Sequence, residues 1–331
     1  MLIGWVSANR LAACESGSLT RGVMNYPTSR LLASSETLGW SAILAELRSH
    51  EDFDSHIMHP QYVELCVVIE GNENAVVTRK GADLYQREVA RTGTIWVSPI
   101  GVSYEIAVSA PVPKLMHLYL PTATFQRLGN EFNLPGNPGL SIRYAPGFRD
   151  EVIHNIALSL LSEITQETAA SRMYAETASL MLAGHLIQRY SDSGSPTPQP
   201  LISHPLDHAR LGRVLDYMAE HITDQITLED LANVACLSTF HFARMFALSV
   251  GVPPHRYLSK IRLENAMAAL AVGRLPISEI ALKSCFSSQA SFTRAFRRAT
   301  GMTPGEYRQR RTDIGVGYQM TSDNLRAGIA R

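Results

Sequence analysis

Two stretches of this chain are near copies of each other, and whatever it folds into must contain the same unit twice. SSQASFTRAFRRATGMTP (Ser287–Pro304) echoes STFHFARMFALSVGVPP (Ser238–Pro254). At an offset of 50 residues the two align Phe242 with Phe292, Arg244 with Arg294, Phe246 with Phe296, Gly251 with Gly301, Pro254 with Pro304 and Tyr257 with Tyr307. Upstream the offset is 49, pairing Leu228 with Ile277, Leu231 with Ile280, Ala232 with Ala281 and Cys236 with Cys285. A repeated supersecondary unit of this length is the elementary reading.

Each copy reads as helix, short turn, helix. Thr227 is a suitable N-cap, followed by Glu229 and Asp230 where the helix dipole favours acid. After the turn Ser238 caps a second helix, on which Phe242, Met245, Phe246 and Ser249 share one face. Arg244 lies about 200° from Phe242 and so points outward. In the second copy Phe292, Ala295, Phe296 and Ala299 form the inward stripe, and Arg294, Arg297 and Arg298 share the opposite face. Between the copies, Pro254–Leu270 reads as one helix of about 25 Å, long enough to hold two heads over successive major-groove segments about 34 Å apart. The formal net charge is zero, yet residues 240–311 hold twelve Lys/Arg against three Asp/Glu, while residues 1–206 are net −5. A helix with an apolar back and arginines in front suits the major groove, where Arg can bind a guanine edge with two hydrogen bonds. The basic end therefore points to a polyanion partner.

Residues from about 211 to 308 resemble the DNA-binding domain of the AraC/XylS transcription regulators. ITLEDLANVACLSTFHFARMF matches the first unit of that family and ISEIALKSCFSSQASFTRAFRRATGMTPGEYR the second, closing on F-x-R-x-F-x₄-G-x-x-P-x-x-Y-R. The resemblance implies base-facing roles for Phe240 and Arg244, and for Gln289, Ala290, Ser291 and Arg294. It implies phosphate contacts for Thr239 and Ser288 at the helix starts. Arg298 joins the DNA-binding set from its place on the arginine face. Cys285 departs from the family, which has glycine before this phenylalanine.

The N-terminal half has a different period. Residues 62–70, 75–80, 84–90, 94–98, 102–108 and 114–120 are short runs, mostly rich in Val, Ile and Tyr and broken by Gly and Pro, which predict an all-β sandwich or barrel. His59-x₄-Glu64-x₆-Gly71 and Gly93-x₅-Pro99-x-Gly101-x₂-Tyr104 resemble the two cupin motifs. ETLGWSAILAELR and PVPKLMHLYLP are similar to effector domains of AraC-type regulators. Tyr104 and Val108 replace a histidine and an asparagine of the second motif, and His56 is one residue out of step with the first. A catalytic metal needs about three convergent ligands, so neither a metal nor a cofactor is expected. Glu64, Trp96, Tyr104 and His117 are the expected lining of an effector pocket.

The expected fold is α+β in two domains: a cupin-like antiparallel β-barrel with two following helices, then an all-α double helix-turn-helix. An extension over 1–35, whose order the sequence leaves open, precedes a sensing domain over 36–147. Amphipathic helices over 148–190 suit dimerisation, and SDSGSPTPQPLISHP marks a linker over 191–206. The DNA-binding domain follows over 207–311, with a tail over 312–331. No run of 18 apolar residues exists, so no membrane span is expected. LAAC, ending at Cys14, resembles a lipoprotein site but lacks the basic start of a signal peptide. The widely spaced cysteines suit a reducing, cytoplasmic address, with Cys66, Cys236 and Cys285 as buried small side chains. Together these features predict a non-enzymatic regulator of duplex promoter DNA, responsive to a small organic effector and homodimeric; RNA polymerase is admitted as a further partner. The alternatives are a metal-dependent cupin enzyme with a DNA-binding appendage, and an architectural protein whose barrel only dimerises.

Overall fold

A computed structural model of the chain describes residues 26, 28–82, 84–134, 136–191 and 205–310. The expected linker and tail, and most of the N-terminal extension, lie outside the described residues. The chain divides into two compact units: Met1–Gly129 with Pro135–Ala157 and Ala183–Ser193, and Asn130–Leu134 with Leu158–Leu182 and Gly194–Arg331.

The first unit is built on two antiparallel sheets. Its strands are β1 (Ser29–Ser34), β2 (Leu44–His50), β3 (Phe53–Met58), β4 (Val63–Glu70), β5 (Val76–Gly81), β6 (Leu84–Val89), β7 (Ile95–Ser98), β8 (Tyr104–Val108), β9 (Val112–Leu120) and β10 (Ala145–Phe148). One sheet runs β1-β2-β9-β4-β7-β10 and the other β3-β8-β5-β6. The run VELCVVIE is nearly continuous in apolar residues, and it lies between β9 and β7 in the middle of the larger sheet. A strand covered on both faces has no need to alternate. Cys66, Val68 and Trp96 of that sheet meet Met58, Val77, Tyr104, Ile106 and Val108 of the other in one core. Gly71 closes β4 where a Cβ would lie 2.2 Å from the Ala90 carbonyl oxygen, which explains the glycine of the first cupin-like motif.

Helices α1 (Thr122–Glu131), α2 (Glu151–Thr165) and α3 (Ser171–Tyr190) follow β9 and β10. α2 starts three residues later than its amphipathic period suggested. Asp150 Oδ1 caps it, accepting from the Val152 and Ile153 amides at 3.0 and 3.1 Å. Residues 29–34, assigned from the sequence to an extension, are instead a paired strand.

The helix-turn-helix copies lie in the second unit: α4 (His208–Glu220), α5 (Leu228–Val234), α6 (Thr239–Val250), α7 (Pro254–Val272), α8 (Ile277–Lys283) and α9 (Gln289–Thr300), with residues 304–310 also helical. Thr227 and Asp230 form a reciprocal capping box at α5, as the sequence predicted. Ser238 caps α6 through the His241 amide and Ser288 caps α9 through the Ser291 amide. Gly251 and Gly301 end those helices with the same φ of 79°, a left-handed turn that favours glycine. Phe242 meets Phe246 at 5.6 Å, and Phe292 meets Phe296 at the same distance. The repeat is thus one of packing as well as of letters. Three details differ from expectation: Cys285, expected to be buried, is half-buried. Ala299 is exposed, and so is Cys236, because the turn residue holds a positive φ that aims its side chain outward. Among the described residues no single helix is long and apolar enough to cross a membrane.

Candidate nucleic-acid interface and interior polar site

α6 and α9 each present an exposed arginine at the same register, Arg244 and Arg294, on the side opposite the paired phenylalanines. Ser288, Gln289, Ala290, Arg294 and Arg298 are exposed and Phe240 is half-buried. Arg294 Nη2 donates to Ser291 Oγ at 3.1 Å. Thr239 and Ser291 do not stand on this face: both are buried, at 6% and 7% exposure. Thr239 lies three and seven residues before Phe242 and Phe246, and Ser291 four before Ala295, so helical spacing places both on the inward stripe. That spacing was readable in the sequence.

The starts of α6 and α9 are also engaged by carboxylates of their own unit. Glu167 accepts from the Ser287 amide at 3.2 Å and from the Ser287 hydroxyl. Glu131 accepts from the Ser238 hydroxyl. Arg298 donates to the Gln166 side chain at 3.0 Å and to its backbone carbonyl at 3.3 Å, and Phe240 meets Phe132 edge-on at 5.5 Å. Ser238 and Ser287, each one residue before an expected phosphate contact, therefore already hold anions. Behind the second copy, buried Arg262 of α7 donates to the carbonyls of Ile222, Asp224 and Ala169, fixing the loop after α4. Cys285 keeps the left-handed backbone its glycine-like position demands, with φ of 60°, and its thiol donates to the Thr223 and Asp224 carbonyls.

The interior of the first unit is unexpectedly polar. A small cavity, about 30 Å³ as swept by the centre of a water molecule, is lined by Tyr26, His50, Cys66, Arg79, Trp96 and Tyr104 among others. Two of the four expected lining residues, Trp96 and Tyr104, thus face it. Glu64 and His117 instead bind each other beside it, with Nδ1 to Oε1 at 2.9 Å. His59 joins neither group: it is exposed and bonds Ser103 at 2.8 Å. Alternation on β5 carries Val77 and Arg79 inward, a signal for Arg79 that sequence reasoning missed. Its guanidinium lies 4.4 Å from the Tyr104 ring and 4.5 Å from the Tyr144 ring, and Nη2 donates to Ser98 Oγ at 2.8 Å. Among the described residues, Nη1 and the Trp96 indole N–H are buried without a hydrogen-bond partner.

Glu64 Oε1 accepts from Tyr26 at 3.0 Å and from the Cys66 thiol at 3.6 Å in addition to its bond with His117. Burial raises the Glu64 carboxyl, but the bonds to His117 and Tyr26 and the charge of Arg79 outweigh it and hold the group below its ordinary value. Burial, reinforced by Glu64, pushes the Cys66 thiol well up, and burial likewise raises Tyr104. His50 Nε2 meets His117 Nε2 at 2.9 Å, and burial, His117 and Arg48 push His50 down to about 2.

A helix-turn-helix domain model matches residues 231–310. The probable transcriptional regulator LumQ of Photobacterium leiognathi is 38% identical over 100 residues, covering 30% of this chain and 40% of that protein. The RCS-specific HTH-type transcriptional activator RclR of Escherichia coli K12 is 40% identical over 103 residues, covering 31% and 36%. A solved transcriptional regulator from Chromobacterium violaceum, described as AraC-type, is 27% identical across 31% of this chain and 92% of that chain, with a TM-score of 0.30. The chain spans at most two-fifths of the length of these curated relatives.

Proposed function

Taking residues 231–310 as a helix-turn-helix domain of the AraC type, we propose that the chain is a transcription regulator whose α6 and α9 enter adjacent major-groove segments of duplex DNA in the cytoplasm. The observation that carries this reading is the matched pair of outward arginines, Arg244 and Arg294, on helices with identical caps and identical phenylalanine backs. Gln289 and Ala290 flank Arg294 on the base-facing side, Ser288 stands at the phosphate, and Arg298 adds charge behind it. Phe240 contributes an apolar contact suited to a thymine methyl. In the first unit the cavity receives a small organic effector. Arg79 Nη1 and the Trp96 indole, both without partners, suit an anionic group on it. Exposed Val152, Leu158 and Met181 on α2 and α3 support a homodimer, and regulation then proceeds through RNA polymerase at the promoter.

The carboxylates on the helix starts give this reading a control point. DNA must displace Glu131 and Glu167 before phosphates can take their place, so any ligand that favours the displaced arrangement raises DNA affinity by its differential binding. The test is binding of the full chain to duplex from the region upstream of its own coding sequence. Arg244→Ala and Arg294→Ala should each cost about 1–3 kcal/mol on the specific site and much less on unrelated duplex. Equal, weak binding to all duplexes with no effect of either substitution would refute it.

A further inference from the structure

The cluster on β4 and β9 has the shape of a metal site that shares Glu64 with the first cupin-like motif and takes its other two ligands from positions that neither motif specifies. Glu64 and Cys66 are two apart on β4 and so share its inward face, and Cys66 pairs directly across from His117 on β9. Backbone register alone thus brings a carboxylate, a thiol and an imidazole to one point. The three ligating atoms are Glu64 Oε1, Cys66 Sγ and His117 Nδ1, and their residues are 2%, 6% and 0% exposed.

The spacing of these atoms, which also serves a hydrogen-bonded network, fits a coordination set. For tetrahedral zinc with bonds of about 2.3 Å to sulfur and about 2.0–2.1 Å to nitrogen and oxygen, the S–N and S–O edges are both about 3.5 Å and the N–O edge about 3.3 Å. The structure has 3.5 Å from Cys66 Sγ to His117 Nδ1, 3.6 Å from Sγ to Glu64 Oε1 and 2.9 Å from Nδ1 to Oε1. Two edges match, and the third, a hydrogen bond here, must open by about 0.4 Å to take a cation in place of its proton. Tyr26 Oη lies 3.0 Å from Oε1 and 3.8 Å from Sγ, near a fourth corner. His50 contacts the far nitrogen of His117 and so fixes the ring, as an outer partner of a metal-bound histidine does. The adjoining cavity, lined by Tyr26, His50 and Cys66 among others, reaches the thiol.

From this geometry we infer that the first unit binds one zinc-class divalent ion through Glu64, Cys66 and His117, with Tyr26 at the fourth position. Thiolate plus imidazole plus carboxylate selects Zn²⁺ or Co²⁺ over the oxygen-seeking Mg²⁺ and Ca²⁺. Coordination sends the Cys66 thiol proton to solvent, and the His117 Nδ1 proton gives way to one on Nε2 that donates to His50, so the ring stays neutral.

The experiment uses the full chain, purified reduced and metal-free, titrated with Co²⁺. The expected result is one equivalent bound, with thiolate-to-cobalt charge-transfer absorption, displaced by Zn²⁺ and not by Mg²⁺. A variant combining Cys14→Ser, Cys236→Ser and Cys285→Ser leaves Cys66 as the single thiol and should keep both the stoichiometry and the band. Cys66→Ser should lose the band, and His117→Gln should weaken binding at least about tenfold. Substoichiometric binding by the wild-type chain, or a band lost in the single-thiol variant, overturns the proposal whether or not Cys66→Ser folds. Because the readout is optical and confined to the first unit, it is independent of DNA binding.

Discussion

Removing Glu167 should make the full chain bind DNA more tightly. Its carboxylate is buried with its residue at 6% exposure and accepts two hydrogen bonds from Ser287. A hydrogen bond to a charged group is worth about 1.5–3 kcal/mol net. Counting one such amount for the carboxylate as a whole, Glu167→Ala should raise affinity for the specific site from about tenfold to about 150-fold, the full gain appearing when the covered arrangement dominates the free protein. Anisotropy of a labelled specific duplex measures this directly. Loss of one negative charge strengthens DNA binding by itself, so Glu264→Gln is the reference: Glu264 is exposed on α7, pairs with Lys260 at 4.0 Å and bonds neither Ser238 nor Ser287. A gain for Glu167→Ala no larger than for Glu264→Gln refutes the displacement argument. So does a loss of affinity together with a lower melting temperature, which would make Glu167 a structural cap.

Three further outcomes are expected. Glu131→Ala should raise affinity in the same direction through the first reading helix, and combined with Glu167→Ala the gains should add, since the two carboxylates engage different helices. Cys236→Gly should stabilise the second unit by about 1 kcal/mol in urea unfolding, because an exposed cysteine there holds a φ of 52° that glycine adopts without strain. His255 is buried, and burial followed by Arg256 pushes its imidazole down to about 4. The folded chain therefore refuses a proton that the unfolded chain takes up near pH 6.5, so stability is intact above that pH and falls as the pH drops toward about 4. At about pH 5 the loss is about 2 kcal/mol, and helical circular dichroism in urea should show it for wild type but not for His255→Asn.

What the sequence determined by itself is the part ruled by local periodicity. A 3.6-residue stripe of phenylalanines with serine caps and terminal glycines specifies α6 and α9 almost alone, since capping and burial both act within a few residues. The strands of Val- and Ile-rich runs were legible for the same reason. β2, β3, β10 and α1 were not: LAELRSH, FDSHIM and APGF carry polar residues or Pro-Gly within the strand, and they are extended only because partners across the sheet accept their hydrogen bonds.

The interior site belongs wholly to tertiary structure. Tyr26, His50, Cys66 and His117 come from four separate parts of the chain, and only the order β2-β9-β4 makes neighbours of them. The two expected DNA contacts that proved buried, Thr239 and Ser291, are different: their helical spacing from Phe242, Phe246 and Ala295 already placed both on the inward stripe. Glu131 and Glu167 give no sign in the sequence of reaching helix starts 107 and 120 residues away, because a hydrogen bond across such a span is set by the path of the chain and not by any local pattern.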